Sequence, residues 1–254
     1  MKVLMCMVLT ISLLSLTLTT YAKGADHWYI KHSGNNTPPV CDSTFSYFEN
    51  YDVYYIDPKA EETPEEKVVY LTFDAGYENG NVAKTLDILR EEGVPSAFFI
   101  LQNMVYKSQD LLVRMVEEGH LICNHTAHHK NMAKASKEEF IKELSEMEEV
   151  YKKATGKDLA KFFRPPEGNF VEENLAWAEE MGYTTVLWSY AYPDWDNDKQ
   201  PSPEYAKNKL YENIHDGAII LLHPTSSTNV QILKDVIRTL KSQGYRFASL
   251  NELK

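Results

Sequence analysis

V-V-Y-L-T-F-D, Val68 to Asp74, is a short apolar run that ends on a carboxylate. The same pattern recurs down the chain. L-I-C (Leu121 to Cys123) leads to His125 and His129, F-F (Phe162, Phe163) to Arg164, T-T-V-L-W (Thr184 to Trp188) to Asp194, and A-I-I-L-L (Ala218 to Leu222) to His223. Short apolar runs rich in β-branched and aromatic residues, bounded by turn signals, read as buried strands. Stretches with helical periodicity lie between most of them. Asn81 to Glu92 sets Val82, Leu86 and Leu89 on one face and stops at Gly93. Gln109 to Glu118 closes at Gly119. Ser136 and Glu139 have capping-box spacing, and the helix they open carries Phe140, Leu144, Met147 and Tyr151 on one stripe before Gly156. Glu172 to Met181, Pro203 to His215 and Asn229 to Ser242 follow, with Gly182, Gly217 and Gly244 just beyond their ends. Ser96 to Leu101 and Phe247 to Leu250 complete a set of about seven strands. Such alternation implies an α/β fold with a parallel sheet and right-handed crossovers. A deformed (β/α) barrel fits better than an open sheet, because the polar residues come off several different strands. In a parallel α/β barrel the active site lies at the C-terminal strand ends. There is no glycine-rich phosphate loop to support a nucleotide fold.

The 254 residues suit one large domain. A formal net charge of −11 leaves no basic patch of the size nucleic acid demands, and it matches an anionic membrane surface poorly. Residues 1–22 differ from the rest. Lys2 precedes an apolar run from Val3 to Leu18, and Thr20-Tyr21-Ala22 offers small residues to a signal peptidase. This reads as a secretory signal peptide, with an uncleaved anchor as the alternative. The run is short for a membrane span, which takes roughly 20 residues. Residues 23–66 are irregular and aromatic-rich and read as an N-terminal arm laid over the domain, which occupies 67–254. Beyond the signal, Cys41 and Cys123 remain. A disulfide is permitted outside the cytoplasm, but Cys123 sits in an apolar strand and reads as a buried thiol.

Each polar residue at a strand end has a chemical and a bland reading. His125 and His129 are four apart, and a helical turn after the strand would put both rings on one face, as ligands for one metal ion. An H-x-x-x-H pair is also often a pair of surface histidines. His128 would point away from that face. Asp74, next to a flexible Ala-Gly, can serve as general base to a bound water or can cap the following helix. Arg164, stiffened by Pro165 and Pro166, can hold a carboxylate ionised or form a surface ion pair. His223 is either a satisfied core histidine or a proton donor, and Asp194 bonded to its ring would raise its pKa. Trp188, Tyr190, Tyr192 and Trp195 can stack on sugar rings or simply fill the core.

Taken together, T-F-D-A-G-Y (72–77), H-T-A-H-H (125–129), R-P-P-E-G (164–168), Asp194-Trp195 and L-L-H (221–223) resemble, in order, the polysaccharide deacetylase (NodB-homology) family. The resemblance spans roughly Val68 to Lys254. T-F-D-A-G-Y-E-N-G and W-S-Y-A-Y-P-D-W look most similar to secreted deacetylases acting on N-acetylmuramic acid on the way to the muramic δ-lactam of spore cortex. The resemblance implies a divalent metal, usually zinc, held by His125 and His129 with water. It implies Asp74 as base, Arg164 as its orienter, His223 as acid and Asp194 as the tuner of His223. Tyr77, Glu167 (through its backbone N–H), Gly168, Trp195 and Leu221 would contact substrate, Leu221 against the acetyl methyl group. It further implies an extracytoplasmic protein of the cell wall or forespore envelope, acting as a monomer on glycan strands after an amidase has removed the peptide. Three positions depart from the family pattern: Ala75 replaces an aspartate that ligates metal, Ala191 replaces the first aspartate of D-x-x-D-W, and Lys130 replaces a proline. With Ala75 only two protein ligands remain where catalytic zinc normally has three. The other substrates to weigh are N-acetylglucosamine in peptidoglycan or chitin and an acetyl ester on xylan. A glycan-binding protein without catalysis is the reading from another class.

Overall fold

The structure, a computed structural model, describes residues 26–31, 34–61 and 66–253; the expected signal peptide lies outside them. Its strands are β1 (Asp26–His27), β2 (Val53–Tyr54), β3 (Val68–Ala75), β4 (Ala97–Ile100), β5 (Leu121–Asn124), β6 (Ala160–Phe163), β7 (Asn169–Phe170), β8 (Thr184–Val186), β9 (Ala218–Leu222) and β10 (Arg246–Phe247). Its α-helices are α1 (Val82–Glu92), α2 (Gln102–Lys107), α3 (Gln109–Glu117), α4 (Lys137–Thr155), α5 (Glu172–Glu180), α6 (Pro203–Asn213) and α7 (Ser227–Ser242).

The main sheet is wholly parallel and runs β9-β3-β4-β5-β6-β8-β2, with β10 beside the first two residues of β3. It curls until its ends meet. The Leu221 N–H donates to the Tyr190 carbonyl at 2.8 Å, and the Ser189 N–H to that of Ile219 at 3.0 Å. Below this seam β2 fills the gap, and the Asp57 N–H bonds the Gly217 carbonyl at 2.9 Å. The expected (β/α) barrel is therefore present, and the seven expected strands are joined by an eighth from the arm.

Strand parity explains what faces inward. Side chains alternate across a strand. On β3, Val69, Leu71 and Phe73 pack with Leu86, Leu89, Leu112 and Ile237 under the helices. Val68 and Tyr70 pack instead with Ala97, Phe99, Cys123, Phe162, Val186 and Ile219 in the barrel interior. Two residues on from the last interior positions of β5 and β6 come His125 and Arg164; the same parity carries β3 to Asp74 and β9 through Leu221 to His223. Period-two geometry thus delivers four reactive side chains to one mouth.

The described residues before β3 do more than cover the barrel. Trp28, Phe45, Tyr47, Phe48 and Val53 pack on Phe170, Leu175 and Leu187. However, β2 enters the main sheet and β1 pairs antiparallel with β7. These dipeptide strands are too short to give a period-two signal. The sequence also conceals α2, six residues with no capping side chain. The final strand ends at Phe247, because Ser249 caps a 3₁₀ turn through the N–H of Asn251. Cys41 and Cys123 are both free thiols, and Cys123 is buried.

His120, at the start of β5, lies edge-on to Phe98 with ring centroids 5.4 Å apart. Among the described residues neither of its ring nitrogens has a hydrogen-bond partner. Burial pushes its pKa down to about 4. A histidine free in the unfolded chain titrates near 6.5, so acidification protonates the unfolded state first and stability falls between those values. The loss expected across that window is about 3 kcal/mol. Urea unfolding of His120→Phe should show this part of the acid sensitivity removed; an unchanged slope with pH rejects the assignment.

Candidate active site

Arg164 is fully buried, which rejects the surface ion pair. Its Nε donates to the Val186 carbonyl at 2.9 Å, Nη2 to Thr72 Oγ1 at 2.9 Å and to the Leu187 carbonyl at 3.2 Å. Nη1 donates to Asp74 Oδ1 at 2.8 Å. The guanidinium also lies 4.0 Å from the centroid of the Phe99 ring. A buried cation tolerates this place only because its donors are satisfied and a carboxylate sits opposite. Asp74 caps nothing: the N-cap of α1 is Asn81. Burial alone would raise the Asp74 pKa, but the neighbouring His125, Arg164 and His223 and the Arg164 hydrogen bond outweigh it and hold it below the ordinary value.

The two histidines converge, with ring centroids 5.1 Å apart. They do not do so by a helical turn. Thr126 (φ +71°) and His129 (φ +57°) are left-handed, so the loop doubles back on itself. Asn124 Oδ1 accepts the Thr126 N–H at 2.9 Å, and Thr126 Oγ1 accepts the His129 N–H at 3.0 Å. Side-chain acceptors of this kind compete with helix formation, which is why four-residue spacing misled. His128 points away, as expected, to Glu143.

The His125 tautomer follows from its partner. A carbonyl can only accept, so Nδ1–H donates to the Arg164 carbonyl at 2.9 Å. Burial pushes the His125 pKa down to about 4, so the ring is neutral and Nε2 carries a lone pair. That lone pair lies 3.5 Å from Asp74 Oδ2. Two acceptors facing each other at this distance call for a cation or a bridging donor. A neutral imidazole whose Nδ1 is anchored to a carbonyl is also the usual state of a metal-ligating histidine. Among the described residues no group of three His, Cys, Asp or Glu is arranged to hold a metal. The donors present fit a divalent cation held by two imidazoles, with water completing its shell.

Across the mouth, Asp194 Oδ1 accepts His223 Nδ1–H at 2.7 Å, and Oδ2 accepts the His223 backbone N–H at 2.7 Å. This fixes the ring with Nε2 free to face the mouth. Burial lowers the His223 pKa, but the Asp194 charge and hydrogen bond, aided by Asp74, outweigh it and hold the value above the usual one. Sequence reasoning missed Asn229, on α7. Its Nδ2 donates to Asp194 Oδ2 at 2.6 Å and to the His223 carbonyl at 3.0 Å, and its Oδ1 accepts from Tyr192. An asparagine at the third position of a helix whose face is otherwise apolar was the available signal. Asn229→Ala should cost roughly tenfold in kcat/KM, the size of one hydrogen bond to a charged group. Unchanged kinetics would remove it from the site.

The remaining expected residues divide. Trp195 is 61 % exposed and lies 6.4 Å from His223, ring to ring. Tyr77 is exposed and accepts a hydrogen bond from Asn197, joining the loops after β3 and β8 across the mouth. Leu221 is buried on the interior parity. Tyr190 and Tyr192 are core, and Trp188 is half-buried. Glu167 is exposed in a left-handed conformation (φ +57°). Gly168 is buried, and a Cβ there would meet Trp188 at 2.9 Å, so its glycine has a packing reason.

A buried, cation-held carboxylate and a carboxylate-held histidine thus share a barrel mouth with two converging imidazoles. The polysaccharide deacetylase family model matches residues 61–186. The peptidoglycan-N-acetylmuramic acid deacetylase PdaA of Bacillus subtilis is 39 % identical over 228 residues, 89 % of this chain and 85 % of that protein. A peptidoglycan-N-acetylglucosamine deacetylase of Bacillus cereus is 34 % identical, over 81 % of this chain and 73 % of that one. The solved structure of B. subtilis PdaA, described as a family 4 carbohydrate esterase, superposes with a TM-score of 0.84 at 38 % identity, over 90 % of this chain and 96 % of that one. The chain belongs to the polysaccharide deacetylase family.

Proposed function

We propose that the protein removes the acetyl group from N-acetylmuramic acid in peptidoglycan, using a divalent cation, zinc for preference, held by His125 and His129. The observation that carries the proposal is the His125 Nε2 lone pair facing the Asp74 carboxylate at 3.5 Å, beside a proton donor on the opposite wall. When bound, the cation supplies Lewis acidity, polarising the acetamide carbonyl and acidifying a water. Asp74, aligned by Arg164, takes the proton from the attacking water as its oxygen bonds to the carbonyl carbon. The Glu167 N–H helps to stabilise the tetrahedral oxyanion, a contribution typically worth about 3 kcal/mol. His223, held protonated by Asp194, gives its proton to the departing nitrogen. Acetate and a free amine result. Leu221 on the interior wall suits the acetyl methyl group, and exposed Trp195 suits a sugar face. Tyr77 also lines a cleft of about 570 Å³ together with Asn103, Lys107 and Leu111.

The choice of muramic acid rests on the similarity to PdaA over most of both chains. The amine freed on a muramic residue without its peptide lies near the lactyl carboxyl, so closure to a δ-lactam, as in spore cortex, is open to it. The N-terminal pattern in 1–22 supports export to the wall. The relative that acts on N-acetylglucosamine supports a second reading of the substrate. Acetate release from amidase-treated peptidoglycan, N-acetylglucosamine oligomers and acetyl-xylan, compared side by side, separates them. The muramic substrate should turn over fastest; preference for either of the others rejects the choice.

Asp74 works ionised and His223 works protonated. Activity should therefore fall on the acid side only below the ordinary aspartate value of about 4, and on the alkaline side above the ordinary histidine value of about 6.5. A profile of kcat against pH at saturating metal checks this, and an alkaline limb at or below 6.5 contradicts it.

A further inference from the structure

We propose that Glu143, on α4, is a positioning residue that sets the loop bearing His125 and His129, and that it does so in partnership with Lys130. Its side chain is 2 % exposed. One carboxylate oxygen accepts the His128 N–H at 2.9 Å. The other accepts from His128 Nδ1 at 3.0 Å and from the Lys130 ammonium at 2.8 Å. The Glu143 carbonyl accepts the Ala127 N–H at 3.1 Å. One helical residue therefore gathers the donors of 127, 128 and 130, on both sides of His129. Glu146 adds a second carboxylate, 3.6 Å from His128 Nε2.

The loop needs such a clamp. Thr126 and His129 both hold positive φ without being glycine, and for a β-branched threonine that is a strained state. Strain of this kind persists only where surrounding contacts over-determine the backbone. Lys130 stands where the family pattern has a proline, so this chain lacks the stiffness a fixed φ would give. The ion pair to a buried acid supplies constraint by another route. With only two imidazoles as ligands, the cation's affinity depends more than usual on how well those two rings are pre-placed.

The inference rests on the reading of His125 and His129 as the cation's ligands. Zinc titration of the purified protein by calorimetry, after chelation and dialysis, tests it. Glu143→Ala should weaken zinc binding by about tenfold to a hundredfold, the usual effect of removing a residue that orients ligands. Glu143→Gln, which keeps one acceptor, and Lys130→Ala should lose less, and they serve if Glu143→Ala does not fold. Met147→Ala, one turn further along α4 and buried in the core without a polar contact to the loop, controls for lost stability: its melting midpoint should fall while zinc affinity stays within about twofold. Wild-type affinity in the Glu143 and Lys130 variants overturns the inference, as does an equal loss in Met147→Ala. If the wild-type protein takes up no zinc at all, the metal reading fails first and the clamp with it.

Discussion

Asp74→Asn should abolish acetate release while the protein keeps its native circular dichroism spectrum. The substitution keeps the shape of the side chain and an oxygen to accept from Arg164, which now lies 2.8 Å from Oδ1. It removes the charge and the capacity to take a proton. General-base catalysis typically contributes 10²- to 10⁴-fold, so residual turnover should be no more than about a hundredth of the wild-type rate. Acetate release, read beside the spectrum, checks this. Near-normal turnover in a folded variant would show that another group activates the water.

Arg164→Met carries the largest expected cost to stability. The guanidinium is the meeting point of β3, β6 and β8, through Thr72, Asp74, Val186 and Leu187. Methionine fills much of the volume but returns none of the hydrogen bonds. The Asp74 carboxylate is left buried opposite an apolar chain, and two carbonyls lose a donor. Breaking a buried ion pair by removing one partner typically costs about 3–5 kcal/mol, whereas an exposed pair is worth no more than about 1 kcal/mol. Urea unfolding distinguishes the two magnitudes. The double variant with Asp74→Asn should be less unstable than the sum of the singles, because the orphaned charge is then gone. Additive losses would show that Arg164 supports the barrel without supporting Asp74.

Much of this site is written in strand-end positions. Asp74, His125, Arg164 and His223 each follow an apolar run, and period-two alternation sends them inward with Tyr70, Cys123, Phe162 and Ile219 below them. That logic is local, so it can be read from the chain. Asp194 is legible for a different reason: it stands beside Trp195 on a polar, aromatic loop, and its partner His223 ends the most apolar strand. The parts that escaped depend on contacts between distant segments. β2 is two residues long and exists because β8 and β9 leave a gap beside them. Asn229 looks like any polar residue of a helix until α7 brings it to Asp194. The bend at Thr126 and His129 is set by side-chain acceptors in place of the helical turn that the spacing suggests. Tyr190 and Tyr192, which could equally have met sugar, are taken by the core.

The decisive measurement is acetate release from amidase-treated peptidoglycan by protein stripped with chelator and then supplied with zinc. Acetate should appear only on addition of the cation, with one new amine on muramic acid for each acetate freed. Retained glycan binding with no acetate at any zinc concentration would contradict it, and would mark the loss of the ligand at Ala75 as the loss of catalysis.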